Sequence, residues 1–229
     1  MRRLVIGIVA LLTAYLVAAY FIAPQVWKEY ATHHPEFDDN PRITQTADGH
    51  PGDPLNVALI GTEDAIRKAM ITIEWYSADA LGVRDDLRIA IDSVFARPYD
   101  DAPVSDLLLF GRKQDLAFEQ PQGDDPRKRN HIRLWNTGKM DAEGRPIWIG
   151  AASYDERVGL SHTTGEITHH IAPDVDTERD RFFGDLEKAN AVSQINKISD
   201  FHHVLEGRNG GGDPWRTDGA LWVGSLVAH

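Results

Sequence analysis

Histidine, carboxylate and arginine side chains concentrate in three stretches of this 229-residue chain. In the first, Leu116 and Phe118 alternate with Asp115, Ala117 and Glu119, and Ile132 and Leu134 alternate with His131, Arg133 and Trp135. Such alternation marks strands with one apolar and one polar face. If the two strands pair through the loop 120–130, a symmetric register sets Glu119 opposite His131 and Ala117 opposite Arg133. Partners on one face have Cβ atoms about 5 Å apart. A carboxylate beside an imidazole is the arrangement of a tuned general base, of two metal ligands, or of an ordinary cross-strand salt bridge. A one-residue slip would put the two on different faces.

The second stretch, 161–174, holds His162, His169, His170, Glu166 and Asp174 in a chain with ten histidines. Along an extended strand adjacent side chains point to opposite faces, so His169 and His170 cannot both ligate one metal. One of them, with His131, Asp155 or Glu119, would make a His/carboxylate site for zinc, manganese or iron. Equally, these histidines suit a structural polar network. No HExxH motif is present. The third stretch is Gly207-Arg208-Asn209-Gly210-Gly211-Gly212-Asp213-Pro214-Trp215-Arg216. Consecutive glycines let backbone N–H groups approach an anion, and Arg208 and Arg216 would help to hold a phosphate. The Lys-Ser/Thr end of a P-loop is absent, and a flexible connection or tight backbone crossing fits the glycines as well. No Gly-x-Ser-x-Gly elbow occurs, and Ser161-His162 as sequence neighbours say nothing of catalytic geometry.

The elements that must position these groups follow from hydrophobic periodicity. Val57–Ile60 reads as a short strand ended by Gly61, and Thr62 as the cap of a helix carrying Ile66, Ala69, Met70 and Ile73 on one side. A second helix is expected from Asp85-Asp86, with Leu87, Ile91, Val94 and Phe95 inward and Pro98 beyond its end. Strands follow at 107–110, 115–119, 131–135 and 147–153, separated by loops rich in Gly, Pro and Asp. Pro173 leads into a helix capped by Asp176 with Phe182, Leu186 and Ala189 inward, and 220–227 reads as the last strand. The pattern predicts an α+β domain, a central antiparallel sheet flanked by helices. The tryptophans at 75, 135, 148, 215 and 222 are core or rim aromatics.

Ahead of this domain the chain is different. Leu4–Ala23 is apolar except for Gly7 and Thr13, and Arg2 and Arg3 precede it. Twenty helical residues span the roughly 30 Å of bilayer hydrocarbon. That run exceeds the apolar core of a cleaved signal peptide, and its small-residue cleavage site is poor. Residues 1–23 therefore read as a transmembrane signal anchor. The positive-inside rule leaves the N-terminus cytoplasmic in an inner or cytoplasmic membrane, with the remainder periplasmic or extracellular. Residues 24–54 carry five of the twelve prolines and read as an extended tether, its His33-His34 pair solvated. Residues 55–229 form the soluble domain. Outside the anchor, 22 Lys and Arg stand against 35 Asp and Glu, a balance of −13. That acidity excludes a nucleic-acid binder. With no cysteine, the chain has no disulfide, no thiolate zinc and no cysteine nucleophile.

Several collinear stretches carry a family resemblance: Phe110-Gly111-Arg112 with Asp115–Glu119; His131–Trp135; Gly150-Ala151-Ala152-Ser153-Tyr154-Asp155; Gly159-Leu160-Ser161; Thr168-His169-His170-Ile171 with Asp174–Asp180; and Gly207–Pro214. Over about residues 55–227 the chain resembles the LssY C-terminal domain family. The resemblance implies an envelope-associated domain, often joined in longer members to segments similar to lipid-phosphate phosphatases or DedA-type proteins. This chain has one anchor and no multi-pass phosphatase portion, so no activity of that partner carries over, and the family supplies no catalytic assignment.

Three functional expectations result. The first is a membrane-anchored accessory or binding domain for lipid or phosphate-containing envelope ligands, or for an envelope membrane protein, with contacts from Arg112, Arg133, His131, Arg208 and Arg216. The acidic surface argues against a broad grip on anionic headgroups, so recognition must be local. The second is a metal-dependent hydrolase of phosphate esters. There His131, Asp155 or Glu119, and His169 or His170 hold a divalent metal that activates water, and Arg133 steadies a phosphoryl oxygen. Purely structural docking against a membrane partner is a third.

Overall fold

A computed structural model describes residues 2–23, 42–47, 49–78, 107–122, 128–162 and 167–227. The helix expected from Asp85 and the His33-His34 pair lie outside the described residues. The chain opens on α1 (Arg2–Val17), which continues into a π-helical turn, Ala18–Ile22. Val5–Ile22 is long and apolar enough to cross a membrane and packs almost nothing against the rest of the protein.

The domain is α+β and mainly sheet. Its large sheet has the order β11-β14-β3-β9-β8-β7-β4, from Val192–Ile198 (β11), Leu221–Leu226 (β14), Val57–Ile60 (β3), Pro146–Leu160 (β9), Arg129–Met140 (β8), Leu116–Pro121 (β7) and Tyr76–Ser77 (β4). Ile167–Ile171 (β10) pairs with the far end of β9. All pairs are antiparallel except β3 with β14, so the sheet is mixed rather than purely antiparallel. The exception arises because β14 enters the sheet only after a helical crossover and β11. A smaller sheet, β2-β1-β5-β6, joins Ile43–Thr46 (β1), Pro51–Pro54 (β2), Leu107–Leu109 (β5) and Arg112–Lys113 (β6). Glu206–Arg208 (β12) and Pro214–Arg216 (β13) form a ribbon around the glycine loop.

Strand alternation divides the large sheet into two faces. Leu116, Phe118, Ile132, Leu134, Trp148 and Ala152 pack with residues of α2 (Glu63–Thr72) and α3 (Val175–Lys188) into the main core. Trp135 and Ala151 on the opposite face pack with Leu55, Leu107 and Leu109 in a second, smaller core between the two sheets. Trp75, Trp135 and Trp215 are fully buried and Trp148 nearly so, while Trp222 is partly buried against the main core. Thr62 caps α2, its side chain accepting from the Ala65 N–H at 3.2 Å.

Several boundaries differ from the sequence expectation: β8 and β9 run on to Met140 and Leu160, well past the expected 135 and 153. Residues 43–54 are not tether: β1 and β2 lie within the small sheet, and the whole of β2 is buried. Proline is compatible because Pro51 and Pro54 stand at the ends of a four-residue strand on the sheet's edge, where a missing N–H breaks no ladder. Helix α3 has Asp174, not Asp176, at its N-cap position. Asp176 lies within the first turn and accepts from the Thr217 hydroxyl at 2.9 Å and from the Asp218 N–H, tying the helix to the segment before β14.

Candidate functional site

Strands β7 and β8 pair with Glu119 opposite His131 and Ala117 opposite Arg133, the register expected from the alternation. β8 then pairs with β9 so that His131 faces Ser153 and Arg129 faces Asp155. On the other edge of β9, Ile171 of β10 pairs with Asp155 but His170 pairs with Arg157. β9 therefore contains one extra residue, a bulge that brings Ile171 and His169 into phase with Asp155. The start of β8 and the end of β10 thus converge on one carboxylate.

Asp155 is 1 % exposed and lies between three basic side chains. Its Oδ2 is 3.2 Å from Arg129 Nε and 3.2 Å from His169 Nδ1, and its Oδ1 is 3.8 Å from His131 Nδ1. Burial alone would raise its pKa. His131, His169 and Arg129 outweigh that and hold the carboxyl well below the usual range. Burial pushes His131 down to about 4 despite the pull of Asp155, so at neutral pH the ring is uncharged. Its Nε2 lies 2.8 Å from Ser153 Oγ. The Ser153 hydroxyl and the ring share one hydrogen bond there, its direction set by the ring's tautomer. Glu119 does not bond to His131. It accepts from Arg129 at 3.1 Å, because the longer guanidinium reaches it from two residues along β8. Burial raises the Glu119 pKa, with Arg129 opposing.

Across this polar face lies the small sheet, and between the two is a cavity of about 60 Å³. By volume it holds a few waters or one small polyatomic ion. His131 and Arg133 line it from β8, Asp155 from β9, His169 from β10, Asp53 from β2, and Asn209 with its two following glycines from the β12–β13 loop. Arg133 Nη1 is 3.8 Å from Asp53 Oδ2, beyond hydrogen-bonding distance, and its guanidinium makes no hydrogen bond to any described residue. Burial raises the pKa of Asp53, while Arg133 and the Asn209 side chain favour its charged form.

The remaining arginines singled out from the sequence lie elsewhere. Arg112 bonds the Asp115 carboxylate and, at 2.6 Å, the Asn136 carbonyl. Arg208 donates to the Gly212 carbonyl at 2.8 Å, and Arg216 pairs with Asp174 at 3.1 Å. Of the residues considered for a metal, His131, Asp155 and His169 meet at the cavity. Arg129, however, shares the Asp155 carboxylate, and a fixed guanidinium disfavours a divalent ion there. His170 turns away and bonds Asp213. Asp53, Arg129, Ser153, Asn209 and Asp213 join these clusters although sequence reasoning does not single them out. The signals available are the Asp between prolines at 51–54 and the alternation phase that Arg129 shares with His131 and Arg133.

The chain thus combines an apolar N-terminal helix with an α+β domain whose polar cavity is lined by strands of both larger sheets and by the β12–β13 loop. Residues 37–221 match the family model described as LssY C-terminus, and the chain belongs to that family. The match begins ahead of β1, in keeping with β1 and β2 being part of the domain. No curated protein and no solved structure matches the chain.

Proposed function

We propose that this is a membrane-anchored accessory domain whose cavity binds a small oxyanion, the phosphate group of an envelope lipid headgroup or related ester. The observation that carries this reading is Arg133. A guanidinium presents five donors, and buried charges ordinarily spend them on fixed partners. Arg179, for comparison, bonds Asp176, Asp180, Asp218 and the Ala220 carbonyl. Arg133 instead keeps its donors at the cavity with only a 3.8 Å approach to Asp53. A phosphate oxygen suits that fork in charge and shape. The acidic exterior leaves such recognition local, and the volume admits one phosphate group while the rest of the ligand projects outward. In this reading α1 spans the inner or cytoplasmic membrane, with Arg2 and Arg3 cytoplasmic and the domain on the far side.

The metal-dependent hydrolase has weaker support. With Asp155 held ionised and His131 a weak base whose Nε2 is engaged by Ser153, neither is tuned to accept a proton near pH 7. Ser153 is fully buried beneath the histidine and does not line the cavity, so it offers no nucleophile.

The test is thermal unfolding of the full-length protein in detergent with inorganic phosphate and with a short-chain phosphatidic acid. Near a hundredfold excess over Kd, a single site contributes about 2.7 kcal/mol. For a chain of this size that raises Tm by roughly 5–10 °C. Arg133→Gln should abolish the shift with both ligands. No shift in the wild type, or an equal shift in Arg133→Gln, ends the proposal.

A further inference from the structure

The bulge in β9 that sends His169 into the cavity sends His170 to a second cluster. His170 is 2 % exposed, and its Nδ1 lies 2.6 Å from Asp213 Oδ1. His162 Nε2 lies 3.4 Å from the same oxygen, and the two imidazole centroids are 4.8 Å apart. One ligand atom from each of the three residues falls within 4.8 Å of the other two. Nitrogen and oxygen ligands at about 2.0–2.2 Å from a tetrahedral zinc stand roughly 3.3 Å from one another. The distances from Asp213 Oδ1 to the two imidazole nitrogens, 2.6 and 3.4 Å, bracket that spacing.

His170 presents Nδ1 to Asp213, while its Nε2 points away from that carboxylate, buried and with no hydrogen-bond partner among the described residues. The ring lies against Gly159, where a Cβ would stand only 2.9 Å from Nε2. Asp213 is also fixed. Its Oδ2 accepts from the Ile171 N–H at 3.3 Å, and its own N–H donates to Asn209 Oδ1 at 2.9 Å. Such outer hydrogen bonds orient metal ligands. His162, half exposed at 50 %, leaves one side of the cluster open to water.

We infer that His162, His170 and Asp213 form a binding site for a borderline divalent cation of the zinc type, with water at the remaining position. Two imidazoles select against magnesium and calcium, which take oxygen ligands. The cation would fasten the glycine loop, through Asp213, to β10 and to the end of β9. The site stands independently of the oxyanion reading, because its three residues lie outside the set that lines the cavity.

Full-length protein carrying no histidine tag, stripped with a chelator and kept in detergent, is titrated with zinc against a chromophoric competitor, and separately with cobalt for its ligand-field spectrum. One tight zinc equivalent per chain and a tetrahedral cobalt spectrum are expected. His162→Ala should remove both while leaving the Tm of the metal-free protein within a degree or two, because His162 is half exposed. The affinity loss should exceed the roughly 10- to 100-fold typical of losing an outer hydrogen-bond partner. Asp213→Asn should weaken zinc in the same direction. Weak sites on the other histidines are common to all variants and cancel in the comparison. Absence of a tight equivalent, unchanged affinity in His162→Ala, or equal competition by magnesium or calcium overturns the assignment. Phosphate is omitted throughout, so the result does not depend on the cavity.

Discussion

Asp155 and Glu178 are both buried carboxylates, and their surroundings drive them in opposite directions. Asp155 has Arg129, His131 and His169 about it and stays ionised. Glu178, on α3, is pushed up to about 8 by burial, against a weaker pull from Arg181, and its Oε1 has no partner among the described residues. Below pH 4.5 the folded and unfolded states both hold the Glu178 proton, and it costs nothing. Between 4.5 and 8 the folded state holds a proton that the unfolded state has released, so stability falls as pH rises. Glu178→Gln, neutral at every pH, should therefore gain on the wild type across that window. The gain should reach on the order of 1–3 kcal/mol by pH 8 and vanish near pH 4. Chemical denaturation at several pH values reads it, and a pH-independent difference would contradict it. At this scale the sequence is only partly legible. The opposition of Glu119 to His131 can be read because both belong to alternating strands. That Glu119 bonds Arg129 instead cannot, since side-chain reach decides it. Alternation places adjacent His169 and His170 on different faces, but only the bulge determines which of them meets Asp155.

Among the elements, β9 is the spine of the domain. It bonds to β8 along one edge and to β3 and then β10 along the other. Gly150 lies where β3, β8 and β9 run side by side, and a Cβ there would collide with the Arg133 backbone carbonyl and stand 2.8 Å from Leu134 Cδ2. Gly150→Ala should destabilise by about 1–3 kcal/mol, as overpacking does. It should also disturb Arg133 and weaken the phosphate response. Gly184, within α3, has nothing within 4 Å of its Cβ position, so Gly184→Ala should stabilise by roughly 0.5–1 kcal/mol. Urea unfolding of the two variants should give opposite signs. α2 is legible because Ile66, Ala69 and Met70 recur at helical spacing and all three are buried. β2 is not, because proline density argues against sheet unless the strand's place at an edge is known.

At the scale of the whole molecule, composition suffices to find the apolar helix at Val5–Ile22 but misplaces the start of the domain. Two truncated proteins lacking the helix separate these boundaries. One beginning at residue 37 retains β1 and β2 and should unfold cooperatively. One beginning at residue 55 lacks both strands, exposing Leu107, Leu109 and Trp135 and losing Asp53 from the cavity, and should lose its sharp transition in calorimetry. A sharp transition in the shorter protein would return residues 43–54 to the tether.

The place of β14 has one more implication. It inserts between β11 and β3, bonding in parallel to the first strand of the large sheet some 160 residues earlier. Until residues 221–226 leave the ribosome, β3 keeps an open edge beside Leu59, a main-core residue. Closure is thus a late event that joins distant parts of the chain, and such topologies fold slowly and expose sticky edges in the meantime. A nascent chain stalled shortly before residue 221 would carry nearly every side chain of both clusters and still present an unfinished sheet to chaperones and proteases. Completion of the large sheet therefore waits on the translation of β14.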